Sequence, residues 1–164
     1  AAAAKEVGLA SVGIIRGYLL DAQNPTLSYA RSAGMTLLGI SREDYREKNE
    51  AAFLESLRKQ FGDFYLIPEG GTNALAIQGT REILTASHSE FSHVLTPIGT
   101  GGTFAGVASS LLPHQQLLGI SALKGEGIRE EMTDLLKREG IHSRGSLEVL
   151  TSTTRVAMPN GQLN

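Results

Sequence analysis

Short apolar runs alternate with amphipathic segments along most of the chain, and this alternation predicts the fold. Six runs rich in β-branched, Leu or aromatic residues have the length of strands: residues 11–16, 35–40, 64–67, 93–98, 117–123 and 147–150. The runs are almost continuously apolar, which is typical of strands buried on both faces. We therefore expect an α/β fold in which a parallel sheet lies between helices, a three-layer helix/sheet/helix arrangement.

Helix signals fill the intervals between these strands. Asn24 and Pro25 are residue types preferred at an N-cap and at the first helical position, and Gly34 suits the position after a helix end. Ser41 and Asp44 form a capping pair at the start of a longer amphipathic segment. The predicted helices are residues 24–34, 41–62, 72–86, 102–112 and 127–140.

The pattern divides the chain near residues 60–63. We expect residues 1–60 to form a portion of a small domain with two strands, and residues 61–164 a portion of a larger domain. The opening residues 1–7 have the composition of a helix interior without an N-cap, so we expect a fold that begins before this sequence. The tail, residues 151–164, has no period and is expected to be loop.

Composition and charge exclude several classes of function. The chain has 164 residues, a net charge of −2 and no basic run, which does not favour a nucleic-acid or anionic membrane surface. It has no cysteine, so disulfides and thiolate metal sites are excluded, and its four histidines lack metal-ligand spacing. No apolar run approaches the roughly 18–20 residues of a membrane span. We expect a cytoplasmic protein without a metal site.

The stretch VLTPIGTGGTFAG, residues 94–106, places a glycine-rich turn between a predicted strand and a predicted helix. Glycines allow close approach of an anion and convergence of successive N–H groups, and a helix N-terminus adds unpaired N–H groups and a positive dipole end. Phosphate is the natural ligand of this combination. The predicted phosphate ligands are Gly99, Thr100, Gly101, Gly102 and Thr103.

The kind of phosphate follows from mismatches with known patterns. No lysine follows these glycines, which excludes a P-loop. Phe104 occupies the third glycine position of a dinucleotide fingerprint, and the next strand runs into Lys124 instead of an acidic residue. A single phosphate monoester fits better. The alternative is a turn whose glycines only let the helix pack closely on the sheet.

A second glycine-rich turn, IPEGGTNALA at residues 67–76, also follows a predicted strand. Gly70 and Gly71 allow close approach of the backbone to a ligand, and Asn73 can bond a carboxylate or ring oxygen. The alternative is a tight turn in which Thr72 caps the following helix.

Together with SVGIIRG, NPTLSYARSAGM and SREDYREK, the two turns resemble pyridoxal-phosphate enzymes of the tryptophan-synthase-β fold type. The similarity is greatest to the branch of 1-aminocyclopropane-1-carboxylate deaminase and D-cysteine desulfhydrase, and it covers residues 1–141 in order. The resemblance implies pyridoxal 5'-phosphate as cofactor, held at residues 99–103. It also implies a small amino-acid substrate that contacts Gly70, Gly71, Thr72 and Asn73 and is converted to a 2-oxo acid and ammonia. The family further implies a homodimer.

The resemblance also shows what this chain lacks. The family's Schiff-base lysine and its Ser-Asn-His turn are expected before Ala1, and the segment that contacts the pyridine nitrogen is expected after residue 150. No lysine of this chain has the family's context: Lys5, Lys48, Lys59, Lys124 and Lys137. We therefore assign no catalytic residue and expect the fold to be incomplete at both ends. A non-catalytic phosphate-binding module and an NAD-type oxidoreductase domain are the alternatives.

Overall fold

The computed structural model of the chain describes residues 1–18, 24–122 and 127–151. Helices and strands alternate through all three ranges. The helices are α1 (Ala2–Glu6), α2 (Pro25–Ser32), α3 (Arg42–Arg46), α4 (Ala51–Phe61), α5 (Ala74–Thr80), α6 (Gly102–Ser110) and α7 (Ile128–Arg138). The strands are β1 (Ser11–Arg16), β2 (Met35–Ile40), β3 (His93–Ile98), β4 (Gln116–Ser121) and β5 (Ser146–Leu150).

The first compact unit spans Ala1–Tyr65 and contains a parallel pair of strands, β1 and β2. The predicted N-cap of α2 is confirmed: Asn24 Oδ1 accepts a hydrogen bond of 3.0 Å from Leu27 N. Gly34, with φ +84°, takes the left-handed conformation that ends the helix and feeds β2.

The long helix predicted at residues 41–62 is wrong, because the segment forms α3 and α4 with a turn between them. The predicted cap is present, since Ser41 Oγ accepts from Asp44 N at 2.9 Å. The break falls at Glu-Lys-Asn-Glu, where a bond from Glu50 N to Glu47 O closes a turn. Four polar residues in succession offer no apolar side chain to hold a helix against the unit, and helix stability depends mainly on such packing.

The second compact unit begins at Leu66 and is built on a parallel sheet with the strand order β3-β4-β5. The register pairs Ile98 with Ser121 at the carboxyl end of β3. α6 joins β3 to β4, and α7 follows β4, as the alternating pattern predicts. The core of this unit consists of buried apolar residues from α5, β3, α6, β4 and α7: Ile77, Ile98, Phe104, Ala105, Val107, Ala108, Leu111, Leu117, Ile128, Met132 and Leu135.

The helix predicted at residues 72–86 is shorter than expected. α5 ends at Thr80 and is followed by two short 3-10 turns, Arg81–Ile83 and Ala86–His88. Thr80 Oγ1 bonds the carbonyl oxygens of Ala76 and Ile77 within its own helix. This back-bonding competes with regular helix continuation.

The strand predicted at residues 64–67 is wrong, since these residues belong to no helix or strand and pair with no strand in the described part of the chain. Tyr65 and Ile67 are 65% and 70% exposed. A short apolar run does not show whether a neighbouring strand is available, and a strand forms only when it can hydrogen-bond to such a neighbour.

The fold class is confirmed: parallel strands alternate with helices in an α/β arrangement. One face of the β3-β4-β5 sheet carries the buried core. On the other face, the side chains of Leu95 and Ile120 are 61% and 45% exposed within the described residues. None of the helices in those residues has both the length and the apolar character needed to cross a bilayer.

Candidate anion-binding site

The turn predicted to bind phosphate lies at the carboxyl end of β3, immediately before α6. The strand ends at Ile98, and Gly101 is the N-cap of α6 with a left-handed φ of +89°. The nine-residue helix therefore begins at the edge of the sheet where ligands bind in parallel α/β folds. Its first amide groups have no acceptor within the helix and are available to an anion.

The glycines of this turn have different structural roles. An added Cβ at Gly101 would lie 2.5 Å from Met132 Cε and 2.8 Å from Leu135 Cδ2, both on α7. An added Cβ at Gly102 would lie 2.9 Å from Thr72 Oγ1. An added Cβ at Gly99 would meet no atom within 4 Å. Close packing therefore explains two of the three glycines, whereas Gly99 borders open space.

The second glycine-rich turn packs directly on the first. Residues Glu69–Gly71 form a 3-10 turn closed by a bond of 2.9 Å from Gly71 N to Pro68 O. Gly70 has φ +72°, and an added Cβ there would lie 2.5 Å from Oγ1 of Thr100. Only glycine permits both this backbone conformation and this approach.

Two hydroxyl groups join the second turn and its helix to the first turn. Thr72 Oγ1 lies 2.6 Å from Thr100 Oγ1. Thr80 Oγ1, eight residues further on, also lies 3.2 Å from the carbonyl oxygen of Gly102. These contacts bridge 28 and 22 residues of sequence and fix the two turns against each other.

Both turns line one cavity of about 490 Å³. The sequence predicted separate cofactor and substrate segments, and the structure brings them to the same space. Three residues that the sequence analysis did not select, Ala76, Thr80 and Pro97, also line it. The described residues that line the cavity are Gly70, Gly71, Thr72, Ala76, Thr80, Pro97, Gly99, Thr100, Gly101, Gly102 and Thr103.

Among residues 1–18, 24–122 and 127–151, no charged residue lines the cavity. Its hydrogen-bonding groups are threonine hydroxyls and backbone amides, together with the positive end of the α6 dipole. An anion placed here would be stabilised by neutral donors and by the helix terminus, the arrangement that suits a phosphate group.

Asn73 is not among the described residues that line the cavity, and its side chain caps a helix. Its Oδ1 accepts a hydrogen bond of 2.9 Å from Ala76 N and caps α5. The alternative in which Thr72 provides this cap is therefore wrong. Thr and Asn are both good N-cap residues, so the sequence did not distinguish between adjacent candidates.

Acidic and basic side chains of the described residues do not line the cavity. Glu69 belongs to the 3-10 turn and is absent from the cavity lining, and Lys124 lies outside the described residues. No lysine of residues 1–18, 24–122 or 127–151 lines the cavity. Within the same ranges, no group of three His, Asp or Glu side chains is arranged to hold a metal ion.

The fold and this cavity define an α/β protein with a candidate phosphate site between two glycine-rich turns. The chain is similar to a protein of Pyrococcus horikoshii that bears the name "Putative 1-aminocyclopropane-1-carboxylate deaminase". The two are 27% identical over 127 residues, covering 66% of this chain and 35% of that protein. The chain thus spans about a third of the length of the curated relative that it matches. No family model matches the chain.

Proposed function

We propose that this chain provides the phosphate-binding part of a pyridoxal-phosphate-dependent lyase. The complete activity would deaminate a small amino acid, of the 1-aminocyclopropane-1-carboxylate or D-cysteine type, to a 2-oxo acid and ammonia. The observation that carries the proposal is the shared cavity of residues 70–72 and 99–103. The similarity to the Pyrococcus horikoshii protein supports the choice of reaction.

The residues present fit the phosphate of this cofactor. Gly99 borders open space at the cavity, and the start of α6 supplies amide donors beside it. Thr100 and Thr103 add hydroxyl donors at the same place. When bound, the cofactor supplies an electron sink for the amino-acid substrate, and the protein's task is to bind and orient it.

The substrate side of the site is assigned to Gly70 and Gly71, while Thr72 lines the same cavity and bonds the hydroxyl of Thr100. These residues line the same cavity as the phosphate turn and contact it, so a cofactor held at Gly99–Thr103 would lie beside them. Asn73, predicted with them, uses its Oδ1 to cap α5, so we expect it to hold this turn in place. We further propose that the complete enzyme is a cytoplasmic homodimer.

A non-catalytic phosphate-binding module is a second candidate function. The observation that favours it is the cavity lining, which among residues 1–18, 24–122 and 127–151 has hydroxyl and amide donors but no lysine. An imine lysine is the group that this cofactor chemistry requires of a protein. The described lining residues could therefore bind a phosphate without carrying out that chemistry.

Calorimetric titration of the 164-residue chain tests the proposal. We expect pyridoxal 5'-phosphate to bind, inorganic phosphate to compete with it, and pyridoxal without phosphate to bind at least about tenfold more weakly, since it lacks the charge-assisted bonds. Borohydride treatment should fix no pyridoxyl group on the chain, as mass spectrometry would show. We also expect no ammonia from 1-aminocyclopropane-1-carboxylate or D-cysteine.

Two results would contradict these expectations. Equal affinity for pyridoxal and pyridoxal 5'-phosphate would show that the chain does not recognise the phosphate group. Deamination by this chain alone would show that it holds a lysine or another base that we have not assigned.

A further inference from the structure

We infer that Thr72 is a positioning residue of the anion site, which acts through the hydroxyl of Thr100 and makes no contact with the anion itself. This inference rests on the proposed function, since it concerns how the same site holds a phosphate. It changes the role that the sequence predicted for Thr72, which was contact with a substrate.

The first step is the geometry of the hydroxyl pair. Thr72 Oγ1 lies 2.6 Å from Thr100 Oγ1 and 3.4 Å from the carbonyl oxygen of Thr100. The first distance is that of a short O–H···O hydrogen bond, and the second is beyond the usual range. The hydroxyl oxygen of Thr100 is therefore the main partner of Thr72.

The second step is the direction of that bond. Either hydroxyl can donate, because each has one proton and two lone pairs. If Thr100 donated to Thr72, only lone pairs of Thr100 would face an anion. If Thr72 donates, the proton of Thr100 is left for the anion. A bound phosphate, which has acceptor oxygens, selects the second direction, and each hydrogen bond of such a chain strengthens the next.

The third step is the confinement of the Thr100 side chain. The backbone at Gly70 approaches it so closely that an added Cβ would lie 2.5 Å from both Cγ2 and Oγ1 of Thr100. The second turn thus contacts Thr100 in two ways, through the backbone of Gly70 and through the hydroxyl of Thr72. Thr100 nevertheless remains exposed at the cavity, so its hydroxyl is held in place and still accessible.

A double-mutant cycle separates positioning from direct contact. The probe is inorganic phosphate, titrated calorimetrically into the 164-residue chain and its variants. We expect Thr100→Val to weaken phosphate binding on the order of tenfold to a hundredfold, the range of a hydrogen bond to a charged group. Thr72→Val should weaken it by about three- to tenfold, because the Thr100 hydroxyl loses its orienting donor.

The decisive comparison is made in the Thr100→Val background. There, Thr72→Val should cause no further loss, since a residue that acts through Thr100 has nothing left to orient. Thr72→Ser keeps the hydroxyl and should bind phosphate within about twofold of the wild type. Thr133→Val is the matched control: this hydroxyl bonds Arg129 O within α7, away from the cavity lining, so phosphate affinity should not change.

Three outcomes would overturn the inference. Undiminished phosphate affinity in Thr72→Val overturns the inference but leaves the proposed function standing. If Thr72→Val causes an equal loss of phosphate affinity in the wild-type and Thr100→Val backgrounds, the inference is likewise overturned and the proposed function stands. Thr72 would then contact the anion directly. Failure of the wild type to bind phosphate or pyridoxal 5'-phosphate overturns the proposed function, and the inference with it. Hydrogen exchange at α5 and α6 in each variant identifies any loss that comes from unfolding.

Discussion

Replacing Gly101 by alanine should destabilise the second unit by about 2–5 kcal/mol. Gly101 has φ +89°, a conformation that costs an L-residue roughly 1–2 kcal/mol. The added methyl would also lie 2.5 Å from Met132 Cε and 2.8 Å from Leu135 Cδ2. Both partners are buried side chains of α7, so they have little room to move away.

Thermal unfolding followed by far-UV circular dichroism measures this effect, with an expected fall of about 10 °C or more in the midpoint. The location of the change can be checked by hydrogen exchange of β3, α6 and α7. All four tyrosines lie in the first unit, so tyrosine fluorescence provides an internal reference. A stable Gly101→Ala variant would mean that α7 does not pack on this turn as described.

Replacing Gly99 by valine should leave the stability of the second unit unchanged and weaken phosphate binding. An added Cβ at Gly99 meets no atom within 4 Å, and no positive φ has to be maintained there. The side chain would border the cavity that both turns line. We expect phosphate affinity to fall by at least about tenfold, since displaced oxygens lose bonds to the amides of α6.

Gly99→Ala provides a graded control for this second prediction. The smaller methyl group should weaken phosphate binding less than the valine side chain, with an unfolding midpoint close to that of the wild type. If Gly99→Val binds phosphate as the wild type does, the anion does not approach this glycine. If the variant unfolds, the space beside Gly99 is not open.

The pattern of the sequence was sufficient for the elements with strong local signals. The capping residues Asn24 and Ser41 and the helix-ending Gly34 all have the predicted roles. Five of the predicted strand runs overlap the strands β1 to β5: three have the observed bounds, and β4 and β5 each begin one residue earlier than predicted. β-branched and Leu-rich runs between turn residues are typical of strands in an α/β chain.

The failures occur where structure depends on distant partners. Residues 64–67 have the composition of a strand, but a strand also needs a neighbour, and composition cannot supply that information. The break between α3 and α4 depends on whether the residues between them find an apolar surface to cover.

The candidate site shows the same division. Glycine and threonine types correctly placed a turn between a strand and a helix at residues 99–101, because that signal is local, and phosphate binding at residues 99–103 stays a prediction. The hydroxyl contact between Thr72 and Thr100 and the place of Thr80 beside Gly102 were not predictable, because they join residues 28 and 22 positions apart. The structure also shows that Gly70 and Gly102 serve the packing of one turn on the other, a role that the motif alone does not distinguish from ligand approach.

The central claim is that the two glycine-rich turns form one phosphate site. Its most direct test is a titration of the ¹⁵N-labelled chain with inorganic phosphate, followed by amide chemical shifts. We predict saturable shifts at the amides of residues 99–103 and 70–72, with the same dissociation constant at both turns. Shifts confined to one turn, or located elsewhere in the chain, would contradict it.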